Sequence, residues 1–208
     1  PATALARTDA AGVVLEQVNS RELIDKILYQ YNFSGHWDVG QFVPLFMPDL
    51  AGIAAGSPTF TVDKVVRESV KIRRTPPDEI RNTFEVVYGP NYVRGGFTDR
   101  VVANNTPSQT AYGFTRSEAL SADWIVTAAA AQALADRRVQ YLSHVQTIVE
   151  FRTYLDGLSV ARGDVVQISH DLRTATKLEV LEMGIAPGGA GETPTCRIVT
   201  VDRAERPT

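Results

Sequence analysis

Val145-Gln-Thr-Ile-Val-Glu-Phe-Arg-Thr153, followed by Tyr154-Leu-Asp-Gly-Leu-Ser-Val-Ala-Arg-Gly-Asp-Val-Val-Gln-Ile-Ser169, is the stretch that decides the fold class. Val145, Thr147, Val149 and Phe151 alternate with Gln146, Ile148, Glu150 and Arg152, so from Ser143 to Thr153 the period is two and one face is apolar, as in a half-buried strand. Asp156-Gly157 and Arg162-Gly163-Asp164 are turn signals, and Val165 to Ser169 reads as the next strand. The two turn signals bracket a short link between the strands. Downstream, Lys177 to Glu182 and Cys196 to Asp202 read as two further strands around a Gly/Pro-rich loop, Pro187 to Pro194. Upstream, Arg81-Asn-Thr-Phe-Glu-Val-Val-Tyr88 alternates with Phe84, Val86 and Tyr88 on one side, and Gly89-Pro90 ends it.

Two helices interrupt this pattern. Asn19-Ser-Arg-Glu22 has the spacing of a capping box, with Asn19 expected to accept from the amide three residues on. Leu23, Ile24, Ile27, Leu28 and Tyr31 then form one apolar stripe. Thr115-Arg-Ser-Glu118 is a second candidate capping box, ahead of an alanine-rich helix predicted from Ser121 to about Val139. Its four consecutive alanines, Ala128 to Ala131, allow close approach or equally supply helix propensity with no special contact, and Arg137 and Arg138 complement the negative end of the helix dipole. Between the helices, His36 to Val39, a turn at Gly40, and Gln41 to Met47 read as a hairpin whose Pro44 marks an edge or a bulge. Pro48 to Ser57 reads as a loop, Phe60 to Val66 as extended chain and Thr75-Pro-Pro-Asp as a stiff turn. The expectation is an α+β, β-rich fold with antiparallel barrel or sheet elements and two main helices. It divides into a helix-plus-hairpin part (1–75) and a β-rich part with the alanine-rich helix (76–208).

Composition excludes several classes. With 208 residues, 44% hydrophobic and 22% charged, the chain has the make-up of a folded globular protein. A net charge of −3 gives no general attraction to phosphates, so direct nucleic-acid binding is not expected. No run of 18 apolar residues suggests a membrane span. The first residues, Pro-Ala-Thr-Ala-Leu-Ala-Arg7, lack the pattern of a signal peptide, and a start at Pro1 fits trimming or excision from a longer polypeptide. Cys196 is the lone cysteine and reads as a buried strand residue.

The search for chemistry finds little. His36, His144 and His170 are far apart and lack metal-ligand spacing. His36 with Asp38, and His170 with Asp171, are read as surface or turn groups rather than ligands. There is no nucleophile elbow and no phosphate loop, and Gly188-Gly-Ala-Gly191 has no following helix. No catalytic, cofactor-binding or metal-ligating residue is assigned. Lys71, Arg73 and Arg74 form the one basic cluster, read as a solvated or inter-subunit face. Trp37 joins them as a candidate contact residue, and Gly157, Gly163 and Asp164 are assigned as structural turn residues.

From Tyr154 to Ser169, the chain resembles the putative phage tail protein family, which includes tail-tip attachment proteins of long-tailed phages and hub proteins of gene transfer agents. In that family an alanine-rich helix ending in arginines leads to a long strand, a Gly-Leu segment, Pro-Gly-Asp and an apolar strand. Ala128 to Arg138, Ser143 to Thr153, Gly157-Leu158 and Gly163-Asp164 follow that order, with Arg162 in place of the usual proline. Asn82 to Tyr88 looks like the family's Asn-x-Val-x-Val-x-Tyr strand, and Ser20 to Met47 like its helix and hairpin, so the likeness covers roughly residues 15–182. The resemblance implies a non-enzymatic structural component of a virion tail, a tip or baseplate hub with barrel-like domains, arranged as a homotrimer that caps the tail tube. The partners it implies are further copies, tail tube or distal tail proteins, and spike, fibre or tape-measure proteins. The competing expectation is a non-catalytic or carbohydrate-binding domain of a tail-associated cell-wall hydrolase, with Trp37, Trp124, Tyr92 or Phe97 as a stacking platform.

Overall fold

The computed structural model describes residue 14 and residues 19–31, 33–38, 40–46, 55–186 and 194–202. The chain forms two units. One joins residues 1–47 with 80–144, and the other joins 48–79 with 145–208. This division differs from a single cut at 75/76, because each core draws on two separated stretches of sequence. β-strands dominate, and the fold is α+β and β-rich as expected.

In the first unit, α1 (Ser20–Gln30) packs on β1 (Phe33–Asp38), which pairs antiparallel with β2 (Gln41–Phe46). Pro44 lies opposite Gly35 without a register shift, so it sits on an edge strand and not at a bulge. A three-stranded sheet has the order β6–β5–β7, from β5 (Thr83–Pro90), β6 (Phe97–Asn104) and β7 (Ser117–Ser121), with β7 parallel to β5. A short α2 (Thr106–Tyr112), not anticipated from sequence, joins β6 to β7. The alanine-rich helix α3 (Ala128–Leu142) covers the sheet. Phe84, Val86 and Tyr88 of β5 meet Ala130, Ala131, Leu134 and Ala135 of α3 in one core. Ala128 and Ala129 are exposed, so only half of the alanine run serves close packing.

Two expectations in this unit are corrected. Thr115 to Glu118 does not start a helix. The buried Asn82 side chain donates to the Phe114 carbonyl (2.8 Å) and accepts from the Arg116 amide (2.8 Å), holding the segment extended against β5. Tertiary pairing overrides a local capping pattern there. The helix begins seven residues after Ser121, capped by Thr127, whose hydroxyl accepts from the Ala130 amide. At α1, Asn19 does act as the cap, but it accepts from the Arg21 amide (2.9 Å), one residue earlier than expected.

The second unit is a six-stranded sheet in the order β3–β9–β10–β11–β8–β4: β3 (Thr59–Thr61), β4 (Lys71–Arg74), β8 (Thr147–Thr153), β9 (Val165–His170), β10 (Arg173–Ala186) and β11 (Thr195–Asp202). β3 and β4, at the two ends of that order, belong to one stretch of chain. Thr61 still pairs with β9, yet four residues later Val65 bridges Thr153 of β8, and the Val66 amide donates to the Arg152 carbonyl (2.8 Å). Four residues reach at most about 14 Å, so the sheet must curl until its first and last strands approach. Two register shifts in β10, at Ala175/Leu178 and Val180/Glu182, are bulges that add the needed twist. The rings of Phe60 on β3 and Phe151 on β8 meet at 5.3 Å across the curl. They share one core with Val149, Val166, Ile168, Leu178 and Ile198. The extended run expected from Phe60 to Val66 is therefore a short strand, a turn and a bridge, and the Lys71–Arg74 strand is an addition.

Candidate interaction surfaces

β4 is an end strand of the curled sheet, and all four of its residues, Lys71-Ile72-Arg73-Arg74, are exposed. Its register on β8 sets Lys71 opposite Glu150, Ile72 opposite Val149, Arg73 opposite Ile148 and Arg74 opposite Thr147. Opposed residues share a face. Val149 and Thr147 are core-facing, so Ile72 and Arg74 point inward and Lys71 and Arg73 outward. Ile72 is nevertheless 43% exposed, so the barrel interior is uncovered beside it.

On the outer face, Glu150 of β8 accepts from the Arg197 Nε of β11 (2.8 Å), and Arg197 lies 3.6 Å from Glu182 of β10. The Arg197 hydrogen bond, followed by the nearby charges of Arg197, Lys71 and Arg73, holds the Glu150 carboxyl below its usual range, and the same hydrogen bond raises Arg197. The acid next to β4 is thus committed to Arg197. Among the described residues, Lys71, Arg73 and Arg74 make no ion pair within 4.0 Å. Just before β4, Glu68 takes a left-handed backbone (φ 62°) in a turn closed by Ser69 onto the Val66 carbonyl. This leaves a depression of about 290 Å³ lined by Val66, Arg67, Glu68, Ser69, Lys71, Glu150 and Arg152.

The turn residues lie in the same unit. Leu155–Ser159 forms a single 3₁₀ turn laid on β8 and β11. Gly157 is buried at the contact. A Cβ there would sit 2.5 Å from Thr153 Cγ2 and 2.6 Å from Cys196 Cβ, so only glycine lets the turn come this close. The turn holds Leu155 and Leu158 outward, both more than half exposed. Gly163 has φ 90°, and its amide donates to the Val180 carbonyl (2.8 Å). The Asp164 carboxylate accepts from the Ala161 amide (2.8 Å). A positive φ at the third position is what a type II turn demands, and Arg162 takes the second position, where proline would preset φ.

The first unit presents its own tip. The Asn91 side chain accepts from the amides of Val93 (3.1 Å) and Arg94 (3.0 Å), and the Asn91 backbone N–H donates to the Gly96 carbonyl (2.9 Å). Tyr92 (50% exposed) and Val93 (95%) are thereby held out on the β5–β6 hairpin. Of the aromatic residues considered for sugar stacking, Tyr92 is on this tip, Phe97 and Trp124 are half-buried, and the Trp37 side chain lies outside the described residues. The backbone of Trp124 is engaged, receiving the Tyr31 hydroxyl (2.7 Å) and donating to the Gln30 side chain (2.9 Å).

No group of three metal-capable side chains occurs among the described residues. His170 Nδ1 accepts from the Leu172 amide (3.2 Å) in the β9–β10 turn, His144 lies beside Asn105, and the His36 side chain is outside the described residues. Cys196 is buried, and burial pushes its thiol up, away from a reactive thiolate. Arg138, expected to serve the dipole of its own helix, has another partner. Its guanidinium stacks 3.6 Å from the Tyr29 ring centroid and donates to the Tyr29 carbonyl (2.9 Å), tying the end of α1 to α3. Sequence periodicity carries no signal for such a contact across 109 positions.

The sequence profile of the family described as "Putative phage tail protein" matches residues 19–183. Among solved structures, the chain is similar to one in the virion of a native gene transfer agent particle, with TM-score 0.60 and 19% identity, covering 88% of this chain and 38% of that one. It is similar to the tail protein from Neisseria meningitidis MC58, with TM-score 0.60 and 12% identity, covering 93% and 57%. The 43 kDa tail protein of prophage MuSo2 from Shewanella oneidensis gives TM-score 0.59 and 12% identity, covering 91% and 56%. At these identities the likeness is one of fold, and this chain spans less than two thirds of the length of each. No curated protein matches it.

Proposed function

Because this chain belongs to the putative phage tail protein family, we propose that it is a structural, non-enzymatic component of the tail tip or baseplate hub of a phage or phage-like particle. In this reading it forms a homotrimer in the virion tail that caps the tube and joins distal tail proteins to the spike, fibre or tape-measure proteins. The observation that carries the reading is the family match over residues 19–183. The curled barrel supports it: its end strand β4 is exposed along its whole length, and exposed strand ends in assemblies are commonly covered by neighbours. Lys71, Arg73 and Arg74 on that edge are the contact residues in this proposal, with Trp37 of the hairpin as a further one. Gly157, Gly163 and Asp164 serve by fixing the turns around it. A slight net negative charge suits a lumen through which DNA must pass without being gripped.

Native mass spectrometry of the purified protein tests the oligomer: three copies of a 22.7 kDa chain are expected, and a monomer at all concentrations would remove the trimer. Co-assembly with tail tube protein, viewed by electron microscopy, is expected to place density at tube ends.

A further inference from the structure

We propose that the open edge of β4 is a docking site for an extended strand from a different protein, one that carries acidic residues at alternate positions with an apolar residue between them. The inference deepens the reading of β4 as a mating edge and names the chemistry of its partner.

The hydrogen-bond register shows which groups are available. The Thr75 amide donates to the Gln146 carbonyl (2.9 Å), and the Gln146 amide returns to the Thr75 hydroxyl. Residues 75 and 146 therefore form a bonded pair, one step beyond Arg74 and Thr147. Bonded and non-bonded pairs alternate along an antiparallel ladder, so Arg73 and Lys71 face β8 while the amides and carbonyls of Ile72 and Arg74 face away from the sheet. Those outward groups are what an added strand pairs with.

Side chains then fix the sequence of the added strand. Opposed residues share a face. Positions opposite Lys71 and Arg73 lie on the outer face, where Glu150, the acid paired with Lys71 across β8, is already bonded to Arg197. Carboxylates there complete the charge pattern. The position between them lies beside Ile72 on the inner face, where an apolar side chain covers the uncovered end of the core. The required pattern is acidic, apolar, acidic. A second copy of this chain does not supply it: none of the 24 acidic residues in the sequence lies two positions from another. No copy of these 208 residues supplies the pattern, and the occupant in this proposal is another protein.

Fluorescence anisotropy with a labelled peptide containing Glu-Val-Glu-Val-Glu, in about 0.15 M salt, tests this on the intact chain. Saturable binding is expected, with a loss of at least about tenfold for a peptide of the same composition with its glutamates in one block. A similar loss is expected when Lys71→Glu and Arg73→Glu are combined, and none for Arg94→Glu, on the β5–β6 hairpin of the other unit. Ile72→Pro removes an outward donor while leaving the β8 ladder intact and is expected to abolish binding. If that variant loses its fold by circular dichroism, amide exchange in the unmodified protein replaces it, with Ile72 and Arg74 gaining protection when peptide is added. No binding, equal binding of the block peptide, or unchanged exchange at Ile72 and Arg74 overturns the proposal. Peptide binding by a protein that never forms a trimer would remove the trimeric reading and keep this one, and a trimer blind to the peptide would do the reverse.

Discussion

Replacing Gly157 by alanine adds one methyl group at a place where two neighbours cannot yield. The new Cβ meets Thr153 Cγ2 at 2.5 Å and Cys196 Cβ at 2.6 Å. Thr153 and Cys196 are paired across β8 and β11 and fully buried, so the strain moves the turn away instead of the strands. Overpacking of this kind costs about 2 kcal/mol. Both tryptophans, Trp37 and Trp124, are in the other unit, so their fluorescence does not follow this change. The buried Cys196 thiol does. Labelling by a thiol reagent under native conditions reads the opening of its surroundings, and a loss of about 2 kcal/mol makes it about 30-fold faster. Gly184→Ala, with open space around its Cβ, is the control and is expected to stay within about 0.5 kcal/mol. Adding Thr153→Ser to Gly157→Ala removes the nearest clash and keeps a hydroxyl for the Lys64 carbonyl, so part of the loss is recovered. Labelling of Gly157→Ala at the unmodified rate would refute the packing argument.

Three further outcomes are expected. Arg162→Pro presets the second position of the Ala161–Asp164 turn and raises stability by about 0.4–1 kcal/mol in urea unfolding, whereas Gly163→Ala, forced to keep φ near 90°, lowers it by about 1–2 kcal/mol. Arg138→Ala removes both the stacking on Tyr29 and the bond to its carbonyl, costs about 2 kcal/mol, and speeds amide exchange and proteolysis within α1. Arg138→Lys restores little, because an ammonium does not stack as a guanidinium does. Glu150 has a depressed pKa in the folded state, so its contribution is present above the ordinary carboxylate pKa and is lost as pH falls through the lower folded value. Glu150→Gln is expected to flatten that part of the acid limb of the stability curve, by a modest amount because the pair is solvent-screened.

Periodicity and capping in the sequence were sufficient for β5, β8, β9, α1 and the hairpin Phe33–Phe46, because each is specified by residues close together along the chain. They were also sufficient for the turn at Gly163, where a positive φ selects the residue, and for the family resemblance; Gly157 was legible as a turn signal, but what requires glycine there is the close approach of Thr153 and Cys196. Only the tertiary structure decided that Ser117–Ser121 is a strand, since its extended form depends on Asn82, 35 positions from Ser117, and on parallel pairing with β5. Only it showed that residues 59–74 serve both ends of one sheet, or that Arg138 completes α1. Strand partners and the acid committed to Arg197 are set by contacts between residues far apart in sequence. Local propensities, worth a fraction of a kcal/mol per residue, yield to such contacts.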